Sequence, residues 1–289
     1  MKTAVVTDSA AYLAPDLAQK YHITIVPITV IFGSKTYLEG VDITSDEFYD
    51  KLKNTVTLPT TSQITMTQMK DVYDRLAAEG YDEVISIHLS SGITTFFENL
   101  QAFVPSVKNI HVYPFDSKMA SAGEADLALL AARLVQAGKT AAEIMPILAE
   151  FQKTLGVYFV VDDIRHLLRT GRISNSAAFV GNLLRIKPLL TFDADGKIVA
   201  IGKERTMKRA FKYIQTHFSD DIANVSYPVQ ATIVDGYNPI ESKTWVDTIQ
   251  TEHPNVRIET SHIGPVVGVH TGEKVMGMIW AADWQTFEG

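Results

Sequence analysis

The residues with most chemistry to offer sit in short polar segments. His270 stands in GPVVGVHTGEKV (264–275), directly before Thr-Gly and between two glycines. A loop of that kind brings an imidazole and backbone amides close to something small and anionic. The segments TDS (7–9), TTSQ (60–63), SSGITT (90–95) and DSKMAS (116–121) add hydroxyls and little strong charge. Each alone also suits a helix cap. Together, at the carboxyl ends of strands or the amino ends of helices, they suit a shared anion site.

Catalytic templates fit poorly. Ser90 or Ser91 with His270 and Asp8 or Asp116 would supply a hydrolase triad, but no G-x-S-x-G stretch occurs. GVHTGEKV has glycines too close together for a phosphate loop, and Lys274 does not directly follow the last glycine. G-x-G-x-x-G is absent, as are H-x-x-x-H and H-E-x-x-H. The 289 residues include no cysteine, which excludes disulfides, thiolate metal sites and thiol nucleophiles. A net charge of −7 without a basic run argues against nucleic acid and against steering to anionic membranes. The inventory suits a binding protein for a small anion with an apolar body better than a self-sufficient enzyme.

The elements that must position these residues follow from periodicity. KTAVVTDS, ITIVPITVIF, DEVISIHLS and NIHVYPFDS predict strands. Between and after them APDLAQKY, TSDEFYDKL, TMTQMKDVYDRLAAEGY, TTFFENLQAF, AGEADLALLAARLVQAG and TAAEIMPILAEFQKT predict helices. Alternation implies a mostly parallel, Rossmann-like sheet with flanking helices. The pattern then changes. VYFVVDD predicts a strand, IRHLLRTG and NSAAFVGNLL short helices, and KPLLTFDADGKIVAIG a hairpin about Asp195-Gly196. A helix RTMKRAFKYIQTHF, a strand–helix–strand run (229–261) and a last strand EKVMGMIWAA follow. The expected class is α/β with two domains, residues 1–155 and an α+β domain with a mixed or antiparallel sheet at 156–289. With 46% apolar and 20% charged residues both can bury a core. No run reaches the length of a transmembrane segment. Asp8 interrupts any secretory signal, so the expected compartment is the cytoplasm.

Taken in order, TDSAAYL (7–13), VPITVIFGSKTYLEGVDIT (26–44), TSQ (61–63), LSSGITTFF (89–97), DSKMASAG (116–123), LRTGRIS (168–174), IKPLL (186–190) and IGPVVGVHTG (263–272) resemble the DegV family. These are bacterial fatty-acid-binding proteins that serve as carriers for a fatty acid kinase. The resemblance implies a long-chain fatty acid at the domain junction, with its tail buried. Thr61, Thr94 and His270 would bind its carboxylate, supported by Ser62, Ser90, Ser91, Gly268, Thr271 and Arg172. Phe96, Phe97, Leu167, Leu168, Phe179, Leu183 and Leu184 would line the tail pocket. It also implies no covalent cofactor and no catalysis by this chain: ATP and Mg would belong to a partner kinase that makes the acyl phosphate. The alternatives are a small-substrate subunit like that of dihydroxyacetone kinases, and lipid storage or transport without a kinase. The chain departs from the family where Thr94-Thr95-Phe96 replaces the usual Ser-Gly-Thr.

The physics suits such a ligand. Burying a methylene contributes about 0.8 kcal/mol, so roughly fourteen contribute about 11 kcal/mol gross. Association costs about 4–15 kcal/mol. The tail therefore supplies the affinity, and hydroxyls with one histidine need only hold the head group.

Overall fold

The computed structural model describes residues 1–174 and 186–289. The chain runs through β1 (Thr3–Asp8), α1 (Pro15–Lys20), β2 (Ile23–Val26), β3 (Thr29–Phe32), β4 (Lys35–Leu38), α2 (Ser45–Asn54), β5 (Thr60–Ser62), α3 (Met66–Ala78), β6 (Glu83–His88), α4 (Phe96–Phe103), β7 (His111–Asp116), α5 (Ala122–Gln136) and α6 (Ala141–Gln152). Every residue of β1 and β6 is buried, as expected of strands covered on both faces. Side chains alternate between the faces. Val5, Ile85 and Ile87 pack toward α5 and α6. Ala4, Val6 and Val84 pack toward α2, α3 and α4. The strands pair in the order β2-β1-β6-β7, all parallel. Chain order reverses between β1 and β6, which is where such sheets open a crevice.

ITIVPITVIF is not the single strand its composition predicts. It divides at Pro27-Ile28, because proline has no N–H for a ladder. β2 stays in the parallel sheet. β3 leaves it and pairs antiparallel with β4 and β5, in the order β4-β3-β5.

The second half contains β8 (Gly156–Val160), α7 (Arg165–Thr170), β9 (Lys187–Phe192), β10 (Ile198–Glu204), α8 (Met207–Ile222), β11 (Val229–Asp235), α9 (Pro239–Glu252), β12 (Arg257–His262), α10 (Pro265–Thr271) and β13 (Met276–Ala282). The strands form a mixed sheet in the order β10-β9-β8-β13-β11-β12. β11 and β12 are parallel, with α9 between them in the chain, and the other pairs are antiparallel. The β9–β10 hairpin turns where Asp195-Gly196 predicts, with Gly196 at φ +73°. α8 and α9 cover one face, where Phe211 stacks on Trp245 at 4.2 Å. The architecture is thus two-domain α/β, with a parallel N-terminal sheet and a mixed C-terminal one. The helix predicted over NSAAFVGNLL lies outside the described residues, together with Phe179, Leu183 and Leu184.

A second prediction is corrected. The stretch around His270 is not a loop but the seven-residue helix α10, with Pro265 in its first turn and Gly272 closing it at φ +72°. α10 belongs to the second half of the sequence but packs against α2, β3 and β5 of the first, and against α7. The chain end also returns, with Trp284 packed in the α5–α6 layer.

Candidate ligand-binding site

β5 is held in register by β3, with Thr61 opposite Val30. α10 sits beside it on a small face. A Cβ on Gly268 would come within 2.7 Å of the Phe48 ring, so only glycine lets the helix lie this close to α2. The last turn of α10 then brings His270 to β5. Its Nε2 is 3.0 Å from Thr61 Oγ1, across 209 positions of sequence. Nδ1 is buried without a hydrogen-bond partner among the described residues.

These two side chains line a cavity of about 380 Å³ between the domains. Ser62, Gln63 and Ile64 flank Thr61 in its wall, and Leu89, Ile93, Thr94, Thr95 and Phe96 come from the segment joining β6 to α4. The second half contributes Leu167, Arg172, Ile198, Val266, Val267, His270 and Thr271. The wall is polarised. Ser62, Gln63 and Thr95 are exposed, whereas Phe96, Ala120, Leu167, Ile198 and Val266 are buried. Past Ala120, Ile198, Val267 and Thr271 lies a smaller chamber of about 60 Å³, walled by Met119, Val157, Phe159, Phe192, Val234, Val275 and Ile279 among others. The cavity therefore offers an outer polar end and an apolar interior, the usual design for an amphipathic ligand.

Burial holds the His270 imidazole far below the ordinary histidine range, at about 3, and the charges of Arg172, Arg169 and His166 push the same way. The ring is therefore neutral at pH 7, with one N–H to donate. Arg172 Nη1 donates to the Thr170 carbonyl at 2.6 Å. Both arginines set a positive field at His270, which an anion would complement. Among the described residues no cluster of three or more His, Asp or Glu side chains could hold a metal ion.

The other residues singled out from sequence divide clearly. Thr94 lines the cavity, and its hydroxyl accepts the Phe96 N–H at 3.3 Å. Thr95 has φ −87°, so a residue with a side chain is unstrained where relatives would carry glycine. Phe96, Leu167, Thr271, Arg172 and Ser62 line the cavity. Ser90 and Ser91 brace its surroundings: Ser90 Oγ donates to the Gly196 carbonyl at 2.7 Å, and Ser91 Oγ to Asp116 at 2.5 Å. Phe97 is buried but does not face the cavity, and Leu168 packs in the layer between the domains. Asp8 accepts from Ala10 N, Leu89 N and His88, so the TDS segment caps and braces. Gln63, Val266, Val267 and Arg169 lie within the family-like stretches but are not singled out there, and Ile198 lies outside them; all five enter the site or its field. Arg169 stands three positions before Arg172, and Ile198 just after the Asp195-Gly196 turn, but neither position signals a cavity.

Comparison with known proteins identifies the family. The DegV family model, described as that of an uncharacterised protein, matches residues 2–283. The chain belongs to the DegV family. It is 38% identical over 281 residues to protein DegV of Bacillus subtilis, covering 97% of this chain and 99% of that one. The crystal structure of the B. subtilis DegV, described as a fatty acid binding protein, superposes with a TM-score of 0.90 at 37% identity, over 98% of this chain and 99% of the other. A fatty acid binding DegV family protein from Streptococcus agalactiae gives 0.90 at 30% identity, with the same coverages. Similarity across nearly the whole length means that both domains share the DegV fold.

Proposed function

We propose that this DegV-family protein binds a long-chain fatty acid between its domains, divided near residues 155 and 156, and presents the carboxylate to a separate ATP-dependent kinase. The observation that carries the reading is the polarised cavity, with the Thr61–His270 pair at 3.0 Å in its wall and apolar side chains deeper in. Two relatives described as fatty acid binding support it. The carboxylate takes hydrogen bonds from Thr61 and from the neutral His270, with Thr94 beside them and Arg172 supplying charge. Ser62 and Thr271 shape the wall, Gly268 lets α10 approach, and Ser90 and Ser91 brace the loop that carries Thr94. The tail runs past Phe96, Leu167 and Val267 toward the inner chamber.

A carboxylate needs no general base. One of its oxygens forms the new bond to the γ-phosphorus of ATP as the bond to ADP breaks, giving an acyl phosphate. The carrier's task is positioning, while neutralising the phosphate charge falls to the kinase and its Mg. A ligand the size of dihydroxyacetone would leave the apolar wall uncovered.

Protein purified without delipidation, then extracted and analysed by mass spectrometry, should release fatty acid in near-stoichiometric amount. Extracts no richer than those of an unrelated protein of similar size, together with failure to bind added palmitate, would refute the reading. Reconstitution with a cognate kinase and ATP should then yield acyl phosphate. Binding without any acyl phosphate would leave storage or transport as the function.

A further inference from the structure

His270 lies at the carboxyl end of α10, and something must fix the other end. The first turn of α10 has two amides to satisfy, because Pro265 has none and Gly268 N already bonds to Gly264 O. Both amides are met from the first domain. Val266 N donates to Glu39 Oε1 at 2.7 Å, and Val267 N donates to the Tyr12 hydroxyl at 2.9 Å. Ser9 Oγ donates to Glu39 Oε2 at 2.5 Å and accepts the Ile28 N–H at 3.0 Å. Glu39 is only 5% exposed. A carboxylate beside a helix amino end is favourably placed. Tyr12 is held at φ 49°, a conformation uncommon outside glycine. Gly264 leaves room for the contact, since a Cβ there would lie 2.5 Å from the Tyr12 ring and 2.9 Å from Glu39.

We infer that Glu39 and Tyr12 are positioning residues for the ligand carboxylate: they grip the amino end of α10 and so hold His270, at its far end, against Thr61. Neither residue lines the cavity, and they act through the helix. The inference rests on the ligand role proposed for His270. α10 has little else to make it a helix, being short, with one glycine and four β-branched residues among its seven. Without the two acceptors, its first turn would leave two buried donors unpaired. Burial raises Glu39 to about 7, so both protonation states are populated near neutral pH. Either state keeps an oxygen to accept the Val266 N–H.

The test uses full-length protein stripped of lipid, with palmitic acid and hexadecanol as probes. The two share a chain, but only the acid carries the head group that His270 holds. Glu39→Ala and Tyr12→Phe should each lower the acid-over-alcohol affinity ratio about three- to fivefold, no more than removal of the imidazole itself, with alcohol binding unchanged. Glu39→Gln, which retains a carbonyl acceptor, should restore most of the ratio. In ligand-free protein, the ring nitrogen resonances of His270 should move in Glu39→Ala and Tyr12→Phe and stay in Glu39→Gln. Should Glu39→Ala not fold, Tyr12→Phe carries the test. Wild-type resonances and ratio in the folded variants would overturn the inference, as would equal loss of acid and alcohol binding. A wild-type protein that binds neither probe would instead refute the fatty-acid reading, and the ligand-free resonances would still decide whether Glu39 and Tyr12 set the imidazole.

Discussion

The two domains meet on either side of the cavity in opposite ways. At the β9–β10 turn they touch backbone to backbone. A Cβ on Gly92 would lie 2.2 Å from the Gly196 carbonyl carbon, and one on Gly196 would lie 2.1 Å from Ser90 Oγ. Ser90 Oγ and Lys118 Nζ each donate across to the turn, to the carbonyls of Gly196 and Ala194. Only a few residues onward, Ile93 and Ile198 stand in the walls of a cavity of about 380 Å³. Glycine and polar contacts seal the junction, and branched apolar side chains leave it open. The seal fixes the domain spacing, so the space beside it is a property of the fold and not slack.

Breaking the seal should have the largest effect. Gly92→Val forces backbone apart from backbone and should destabilise the protein by about 2–3 kcal/mol in urea unfolding. It should also speed release of bound palmitate. Unchanged stability would mean that the clasp yields freely and does not set the spacing. Filling the open side should act on ligand and not on fold. Val267→Phe, at the step between cavity and inner chamber, should weaken palmitate binding by about 2 kcal/mol, the worth of two or three excluded methylenes. Titration with shorter acids should show the deficit vanishing as the chain shortens.

A third stretch of the junction sharpens the contrast. Burial pushes Asp126, on α5, up to about 8, and the negative charge of Glu259 pushes the same way. The folded protein therefore keeps a proton there through neutral pH, whereas the unfolded chain releases it near the ordinary Asp range. Folding then takes up a proton, and this group's contribution to stability falls as pH rises from near 4 to about 8, by about 1.4 kcal/mol per pH unit at the steepest, and levels off above that. Asp126→Asn should flatten that fall in thermal melts. It should not abolish it, because His262, held above its ordinary value by its hydrogen bond to Asp235, loses its stabilisation over the same rise. An unaltered slope in Asp126→Asn would show that the aspartate ionises in place.

How much of this was legible beforehand depended on whether the cause was local. β1 and β6 announce themselves as uninterrupted buried runs, and the hairpin as a turn pair between apolar strands. Thr61 and His270 stood out by type and by family pattern. The helix under His270 did not. GPVVGVHTG has one internal glycine and four β-branched residues, and it is helical because Glu39 and Tyr12 satisfy its first amides and Phe48 leaves room at Gly268. Those partners lie more than two hundred positions away. β5 was equally hidden, since two exposed polar residues and the half-buried Thr61 between them become a strand only by pairing with β3. The inner chamber draws its walls from both halves of the chain, which no single motif encodes.

Smaller effects belong to the polar end. His270→Ala should weaken palmitate binding by only about 1 kcal/mol, the worth of one hydrogen bond, because the tail holds most of the affinity. Acyl phosphate formation with a kinase should suffer more, and equal loss in both assays would contradict the division between tail and head. Thr94→Ser with Thr95→Gly should change binding by less than about 0.5 kcal/mol, because Thr95 already has an ordinary backbone conformation.

The central claim is that Thr61 and His270 hold a carboxylate whose tail fills the space between the domains. A crystal structure of the protein with palmitate tests it most directly. The account predicts carboxylate oxygens within about 2.7–3.2 Å of Thr61 Oγ1 and a ring nitrogen of His270, with the chain running past Val267 toward Phe159. An empty cavity at saturating palmitate, or a chain lying with its carboxylate away from Thr61 and His270, would contradict it.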